Sequence, residues 1–180
     1  MKQLFVVAAA VLTLASCSKK IEELPVPTQS GANTFGASIN GVLWAPQGFG
    51  IMPTAPLLEA SFGSGANSYY INARNFSKSP TETEFEIYLQ NVTKEGTYYF
   101  NTNTQIRPGQ TGSYAYFVER RSTPKYQWIT NSTHTGSVTI TKLDIANHII
   151  AGTFAFEAED MSGDAAPIQV TEGRFDLTIQ

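Results

Sequence analysis

Apolar and polar residues alternate over short segments of this chain, and this pattern limits the folds that it can adopt. In residues 83–91 the apolar positions recur at every second residue, and they are Phe85, Ile87 and Leu89. The opposite positions hold Glu84, Glu86 and Gln90, with Tyr88 among them. Because successive side chains of a strand point to opposite faces of a sheet, this pattern predicts a half-buried β-strand.

Similar segments recur along the chain and are separated by residues that favour turns. Asn40-Gly41 falls between two apolar runs and is typical of a tight β-hairpin turn, because both positions need a positive φ. The other predicted strands cover residues 34–39, 42–44, 57–62, 69–75, 96–101, 113–119, 126–130, 136–144, 149–157 and 169–180. This succession, without a convincing helix, predicts an all-β domain folded as an antiparallel β-sandwich, and a lipocalin-like up-and-down β-barrel is the alternative.

The N-terminus has a different character. Residues 4–15 are apolar apart from Thr13, whereas a helix that spans a bilayer needs about 20 such residues. A short apolar run preceded by Lys2 is typical of a secretory signal peptide, which we predict over residues 1–16. Cys17, the only cysteine of the chain, follows directly.

The four residues Leu14-Ala15-Ser16-Cys17 resemble the lipobox of bacterial lipoproteins. This resemblance implies cleavage before Cys17, a diacylglyceryl group on its sulfur and a fatty acid such as palmitate on its amino group. Two or three acyl chains hold a protein on a membrane far more firmly than one chain does. The membrane is therefore the first expected partner, and the lipid on Cys17 is the expected anchor.

Residues 17–33 lie between this anchor and the predicted strands. They are rich in Pro, Ser, Gly and charged residues and lack apolar periodicity, so we predict a flexible tether. In a polyproline conformation, at about 3.1 Å per residue, such a tether could extend to roughly 50 Å. The alternative is a first strand packed on the domain. Residues 34–180 are long enough for one β domain with its own core.

Two parts of the sequence resemble a lipoprotein family of unknown function that is common in Bacteroidetes. They are the early hairpin from Phe35 to Trp44, with its Asn-Gly-x-x-Trp pattern, and the closing strands with Gly-Thr-Phe at 152–154 and Gly-Arg-Phe at 173–175. The resemblance implies a β domain at the outer membrane and names no activity. Ser18 stands where an Asp retains enteric lipoproteins at the inner membrane, which also favours the outer membrane. Whether the domain faces the periplasm or the cell surface stays open.

Few residues offer catalytic or metal-binding chemistry, so we expect neither catalytic residues nor a cofactor. The two histidines, His134 and His148, lie in polar turns without a recognisable nucleophile motif. Asp160 and Asp164 form a weak calcium candidate, but this segment lacks the Gly and Glu of an EF-hand loop. A solvated acidic loop is the alternative interpretation. The formal net charge is −3 and no basic stripe is present, so nucleic acid is not an expected partner.

An aromatic platform is the best candidate for a binding surface. Tyr114 and Tyr116 share one face of a predicted strand, and Tyr126 and Trp128 follow after a polar loop. If the two strands pair with these rings on one face, the rings could stack on a sugar or an apolar partner; packing as core pairs is the alternative. We therefore expect a non-catalytic binding module for a glycan, a small ligand or an envelope protein. A structural or assembly lipoprotein is the next hypothesis, and a hydrolase the last.

Overall fold

The computed structural model describes residues 21–48, 55–78 and 80–180. Within these ranges the chain forms eleven strands, and no helix is long and apolar enough to cross a membrane. The strands are β1 (Thr34–Ile39), β2 (Val42–Trp44), β3 (Leu58–Phe62), β4 (Tyr69–Asn75), β5 (Glu82–Leu89), β6 (Gly96–Phe100), β7 (Tyr114–Arg120), β8 (Pro124–Ile129), β9 (Gly136–Asp144), β10 (Ile149–Asp160) and β11 (Ile168–Thr178).

The strands form two antiparallel layers. The order is β2-β1-β11-β10-β9-β6 in the first layer, sheet A, and β3-β4-β5-β7-β8 in the second, sheet B. Strand β10 belongs to both layers, since Glu159 and Asp160 at its end pair with Ile129 and Trp128 of β8. The path of paired strands begins at β2, ends at β3 and does not close into a barrel. The predicted antiparallel β-sandwich is therefore confirmed.

The core between the two sheets is built largely from aromatic rings. The ring centroid of Phe35 on β1 lies 5.5 Å from that of Phe85 on β5 and 5.3 Å from that of Phe154 on β10. Trp44, the last residue of β2, lies 4.7 Å from Phe85, with the two rings close to perpendicular. Edge-to-face contacts add to the burial of apolar area, so these rings join the sheets at their centre.

The first hairpin has the turn that the sequence predicts. Asn40 and Gly41 adopt φ values of 49° and 81°, and Ile39 pairs with Val42 across the turn. Both positive φ values belong to the type of two-residue turn whose twist matches that of the flanking strands. The hairpin therefore ends one side of the sandwich with a short, exposed tip.

Residues 21–33 form an N-terminal strap that lies against the domain. Ile21 lies at the end of the sandwich that holds the β1–β2 turn, where it lines a cleft with Val42. Pro25 packs on Gly36, where an added Cβ would lie 2.7 Å from the proline Cδ. The segment predicted as a flexible tether is thus packed on the domain over its described part. Cys17 lies outside the described residues.

Asp176 of β11 holds the strap in place. Its carboxylate is 1 % exposed and accepts hydrogen bonds from the backbone N–H groups of Ser30, Gly31 and Ala32, at 2.9, 2.7 and 3.1 Å. The hydroxyl of Thr28 donates to the same carboxylate at 2.6 Å. Burial alone would raise the pKa of Asp176, but these donors outweigh it and hold the pKa below its ordinary value.

Candidate functional site

The structure does not bring the four residues of the predicted aromatic platform together. Strands β7 and β8 do form a hairpin, and its register places Phe117 opposite Trp128. Because directly opposed residues share a face, Trp128 and Tyr126 join Phe117 on the inner face of sheet B, whereas Tyr114 and Tyr116 lie on the outer face.

The four rings are also largely withdrawn from solvent. Tyr114 is 0 % exposed, Tyr116 and Trp128 are each 7 % exposed, and Tyr126 is half-buried. A shift of strand pairing by one residue moves a side chain to the other face of its sheet. The sequence does not reveal the register of β7 and β8, so it cannot show which rings share a face. The alternative, in which these rings pack in clusters, describes the structure.

The weak calcium candidate, Asp160 with Asp164, is likewise used for internal hydrogen bonds. Asp160 is 4 % exposed, and its Oδ2 accepts from the Ser162 hydroxyl and from the backbone N–H groups of Asp164 and Ala165. Its Oδ1 accepts the N–H of Gln127 at 3.1 Å. Burial opposes ionisation, yet these donors lower the pKa of Asp160. In the described part of the chain, no group of three or more His, Cys, Asp or Glu side chains could hold a metal ion.

A buried polar arrangement lies on the outer face of sheet B, around Glu84 and Glu86 of β5. Both residues are 8 % exposed, although alternation places them on the side that would face water. The side-chain amide of Asn72, on the neighbouring β4, donates to Glu84 Oε1 at 3.0 Å and to Glu86 Oε2 at 3.1 Å. One buried amide therefore joins the two carboxylates, and we call this group the β5 network.

Arginine side chains neutralise the β5 network. Arg107 donates to Glu86 Oε2 at 2.5 Å. The Nε of Arg74 lies 3.1 Å from Glu84 Oε1, and Arg120 also donates to Glu84. A buried charge is stable only when it is paired and hydrogen-bonded, which these contacts achieve.

Residues 101–113, the loop between β6 and β7, cover the β5 network. Arg107 comes from this loop, and its guanidinium lies 4.4 Å from the centre of the Tyr70 ring. The hydroxyl of Tyr114, just after the loop, donates to Glu86. Burial raises the pKa of Tyr114 well above its ordinary value, so the hydroxyl stays a neutral donor. The loop and the network therefore form one structural unit.

A cleft of about 440 Å³ opens at the end of the sandwich that holds the β1–β2 turn, and we call it the Trp44 cleft. Trp44 and Phe117, which are only 8 % and 6 % exposed, line it, while Ile39 and Val42 of the hairpin add aliphatic surface. The Trp44 indole donates to the Thr83 hydroxyl at 2.9 Å, which fixes the ring. Ligand sites commonly enclose about 300–1,000 Å³ and combine apolar walls with a few polar groups.

The rim of the Trp44 cleft carries polar and charged groups. Lys78 is exposed, and its ammonium forms no ion pair with any residue that the structure describes. Glu119 also lines the cleft, and its carboxylate lies 3.7 Å from the ammonium of Lys125. The cleft thus offers a cation, a carboxylate, the accessible parts of two aromatic rings and aliphatic side chains to a ligand.

Two further grooves, of about 500 and 350 Å³, run beside the N-terminal strap. Pro25 and Val26 of the strap form part of their walls, together with Phe35 and Phe175 of sheet A. Because the strap forms one wall of each groove, the shape of the grooves depends on how the strap packs against sheet A.

The sequence alone does not point to the Trp44 cleft. Its aromatic members, Trp44 and Phe117, belong to different sheets, and no local pattern relates them. The available signal is a tryptophan placed directly after a tight hairpin turn, near the open end of a predicted sandwich. Lys78 carries no signal of its own, since it lies in a polar loop.

Comparison with protein families gives one assignment. Residues 58–176, more than half of the chain, match the family described as Domain of unknown function (DUF6252). The matched stretch runs from β3 into β11, so it includes the β5 network but neither Trp44 nor the N-terminal strap. No curated protein and no solved structure matches the chain. The chain is therefore a member of the family described as Domain of unknown function (DUF6252).

Proposed function

We propose that this protein is a lipid-anchored lipoprotein of the outer membrane whose β-sandwich is a non-catalytic binding module. The Trp44 cleft is its ligand site. The observation that carries this proposal is the lining of that cleft, which places an indole, a phenyl ring and the ammonium of Lys78 around about 440 Å³. Such a lining suits a small ligand with one apolar and one polar side.

The β5 network favours binding over hydrolysis. A general acid or base must exchange a proton with a substrate, and a glycosidase needs two carboxylates that reach the scissile bond. Glu84 and Glu86 instead accept hydrogen bonds from Asn72 and from arginine side chains beneath a covering loop. Their position fits a structural role.

The lipid anchor is supported by the lipobox residues Leu14 to Cys17 and is tested by mass spectrometry of protein extracted from native membranes. We expect an N-terminal Cys17 that carries a diacylglyceryl thioether and an acylated amino group. Replacement of Cys17 by Ser should release the protein from the membrane fraction. A free thiol at Cys17 in the membrane-extracted protein would contradict the anchor.

The ligand site is tested by nuclear magnetic resonance on the mature chain with Cys17→Ser. The two tryptophans, Trp44 and Trp128, each give one indole N–H signal, and Trp44→Phe assigns them. Titration with saccharides and with short-chain phospholipids should shift the Trp44 signal for one of these classes. The Trp128 indole, which donates to the carbonyl of Ala166 at 2.9 Å, should keep its position.

A pair of lysine variants sharpens this test. Lys78→Ala should weaken binding about tenfold, because a charged hydrogen bond to the ligand is lost. Lys94 is an exposed lysine beyond the opposite end of β5, so Lys94→Ala should leave the affinity unchanged. Equal effects of the two variants, or a Trp44 signal that no ligand class shifts, would exclude the cleft as the site.

A further inference from the structure

The N-terminal strap determines where the chain leaves the domain toward Cys17. Ile21 lines the Trp44 cleft, and Cys17 precedes it by four residues. An extended chain spans at most about 3.6 Å per residue, so Cys17 cannot lie more than about 14 Å from Ile21. The predicted anchor therefore lies beside the cleft, whereas an unattached tether of residues 17–33 would allow any distance up to roughly 50 Å.

The surface around the Trp44 cleft has the polarity of a membrane interface. Val42, at the tip of the β1–β2 hairpin, is 69 % exposed, and Ile39 beside it is half-buried. Lys78 places a cation on the same cleft. Phospholipids combine an anionic phosphate with apolar chains, so an exposed aliphatic tip beside a lysine matches both parts of the molecule.

We propose that the Trp44 end of the domain rests on the leaflet that holds the anchor, and that the cleft takes the headgroup of a phospholipid from this leaflet. This inference rests on the proposed function, since it requires acylation of Cys17. The phosphate lies at the ammonium of Lys78, and the first carbons of the acyl chains lie against Val42 and Ile39.

Because the strap keeps the domain close to the membrane, even a weak contact with a lipid would keep the headgroup site occupied. When two binding groups are joined by a short linker, the second contact becomes intramolecular and its effective concentration is high. Because Ile21 lines the cleft, only residues 18–20 lie between it and the proposed anchor at Cys17. A headgroup site with low intrinsic affinity would therefore stay occupied while the protein is anchored.

Fluorescence quenching tests this inference on the acylated chain, reconstituted into vesicles of phosphatidylethanolamine and phosphatidylglycerol with brominated acyl chains. The Trp128→Phe variant reports on Trp44 alone, and the Trp44→Phe variant reports on Trp128 alone. We expect the brominated lipid to reduce the emission of Trp44 more strongly than that of Trp128, whose ring packs on Phe117 and does not line the cleft. Equal emission changes at the two positions would overturn the inference.

Variants of the surface and of the strap provide the controls. Val42→Asp should abolish the quenching of Trp44, whereas Ile145→Asp should preserve it. Ile145 is 46 % exposed in the β9–β10 turn, at the opposite end of the sandwich. Asp176→Asn should release the strap, lengthen the free tether and reduce the quenching of Trp44 while the protein stays on the vesicles. Quenching that persists in both Val42→Asp and Asp176→Asn would contradict the proposed orientation.

Vesicle flotation separates this inference from the proposed function. A chain that floats with the vesicles but shows no quenching of Trp44 retains its anchor and refutes the membrane-facing cleft alone. A chain whose Cys17 is unmodified and that does not float refutes the anchor and, with it, this inference.

Discussion

The two outer faces of the sandwich are both covered by irregular chain, but different chemistry holds the two covers. On sheet A, one carboxylate, Asp176, accepts hydrogen bonds from uncharged donors of the N-terminal strap. On sheet B, Glu84 and Glu86 accept hydrogen bonds from charged arginines, of which Arg107 belongs to the covering loop. When the strap detaches, its backbone N–H groups can form hydrogen bonds to water instead. When the loop detaches, Glu86 loses its charged partner Arg107, which costs more free energy.

We therefore expect the N-terminal strap to detach from sheet A more readily than the loop of residues 101–113 detaches from sheet B. The strap lies at the end of the chain that leads to Cys17, so its attachment would position the domain relative to the proposed anchor. The loop of residues 101–113 connects β6 to β7, and its Arg107 pairs with Glu86 of β5, so we expect this loop to contribute to the stability of the fold. Variants on the two faces should therefore differ in both the size and the kind of their effects.

The largest effect is expected on sheet B. Glu86→Ala removes the acceptor of Arg107, Asn72 and Tyr114, and should lower the free energy of unfolding by about 3 kcal/mol, because it leaves buried donors and a charge unpaired. Urea denaturation measures this loss. Glu95→Ala, at an exposed position after β5, should change stability by no more than about 0.5 kcal/mol. Similar losses for both variants would contradict a structural role of the network.

A smaller effect is expected on sheet A. Asp176→Ala should lower the free energy of unfolding by about 2 kcal/mol, since the strap can recover hydrogen bonds to water once released. Limited proteolysis should then cut within residues 21–33 while the rest of the domain resists. Asp164→Ala, at an exposed aspartate, is the matched control and should produce no such cleavage. A strap that stays resistant in Asp176→Ala would show that other contacts hold it.

The pH dependence gives a third test of the strap. Burial opposes ionisation of Asp176, but its donors lower the pKa below the ordinary value of about 3.9. The stability from these bonds is therefore present above that ordinary value and is lost as the pH falls through the lower pKa of the folded state. The stability difference between the wild type and Asp176→Asn should be constant near neutral pH and shrink below about pH 4. If the stability difference between the wild type and Asp176→Asn did not change below about pH 4, ionised Asp176 would not be what holds the strap.

Comparison with Asp176→Asn isolates this one carboxylate. The pKa values of Asp144 and Asp160 are lowered as well, through their own hydrogen bonds. These two groups titrate in both proteins, so their contributions cancel in the difference.

The smallest effect on stability is expected where Pro25 packs on Gly36. Gly36→Ala should cost about 1 kcal/mol, because the new Cβ would approach the proline ring to 2.7 Å. In the Asp176→Ala background the strap is free to move, so the same substitution should cost less. Gly163, with a φ of +76° and no neighbour within 4 Å of an added Cβ, is the control, and Gly163→Ala should be additive with Asp176→Ala. If Gly36→Ala were as additive with Asp176→Ala as Gly163→Ala is, the contact between Gly36 and Pro25 would be contradicted.

The strands and their inner faces could be predicted from the sequence because alternation is local. The bounds of β4 and β9 agree with the predicted segments 69–75 and 136–144. Phe85, Ile87 and Leu89 point into the core, as their spacing indicates. Each of these inferences needs only the residues of one strand.

What could not be predicted depends on contacts between distant parts of the chain. Alternation places Glu86 outward, but its burial is due to a loop twenty or so residues later. Asp176 holds Gly31 across 145 residues, so the tether gives no local sign of its attachment. The pairing of Phe117 with Trp128 depends on the register of a hairpin, which the aromatic spacing alone does not reveal.

Hydrogen exchange at the amides of Ser30, Gly31 and Ala32 reports directly on the attachment of the strap to Asp176. In the mature chain with Cys17→Ser, we expect these amides to exchange about 30-fold more slowly than in an unstructured peptide, as a local opening free energy of about 2 kcal/mol requires. Asp176→Asn should remove this protection and leave that of β10 intact. Exchange of the three amides at the unstructured rate in the parent chain would contradict the account.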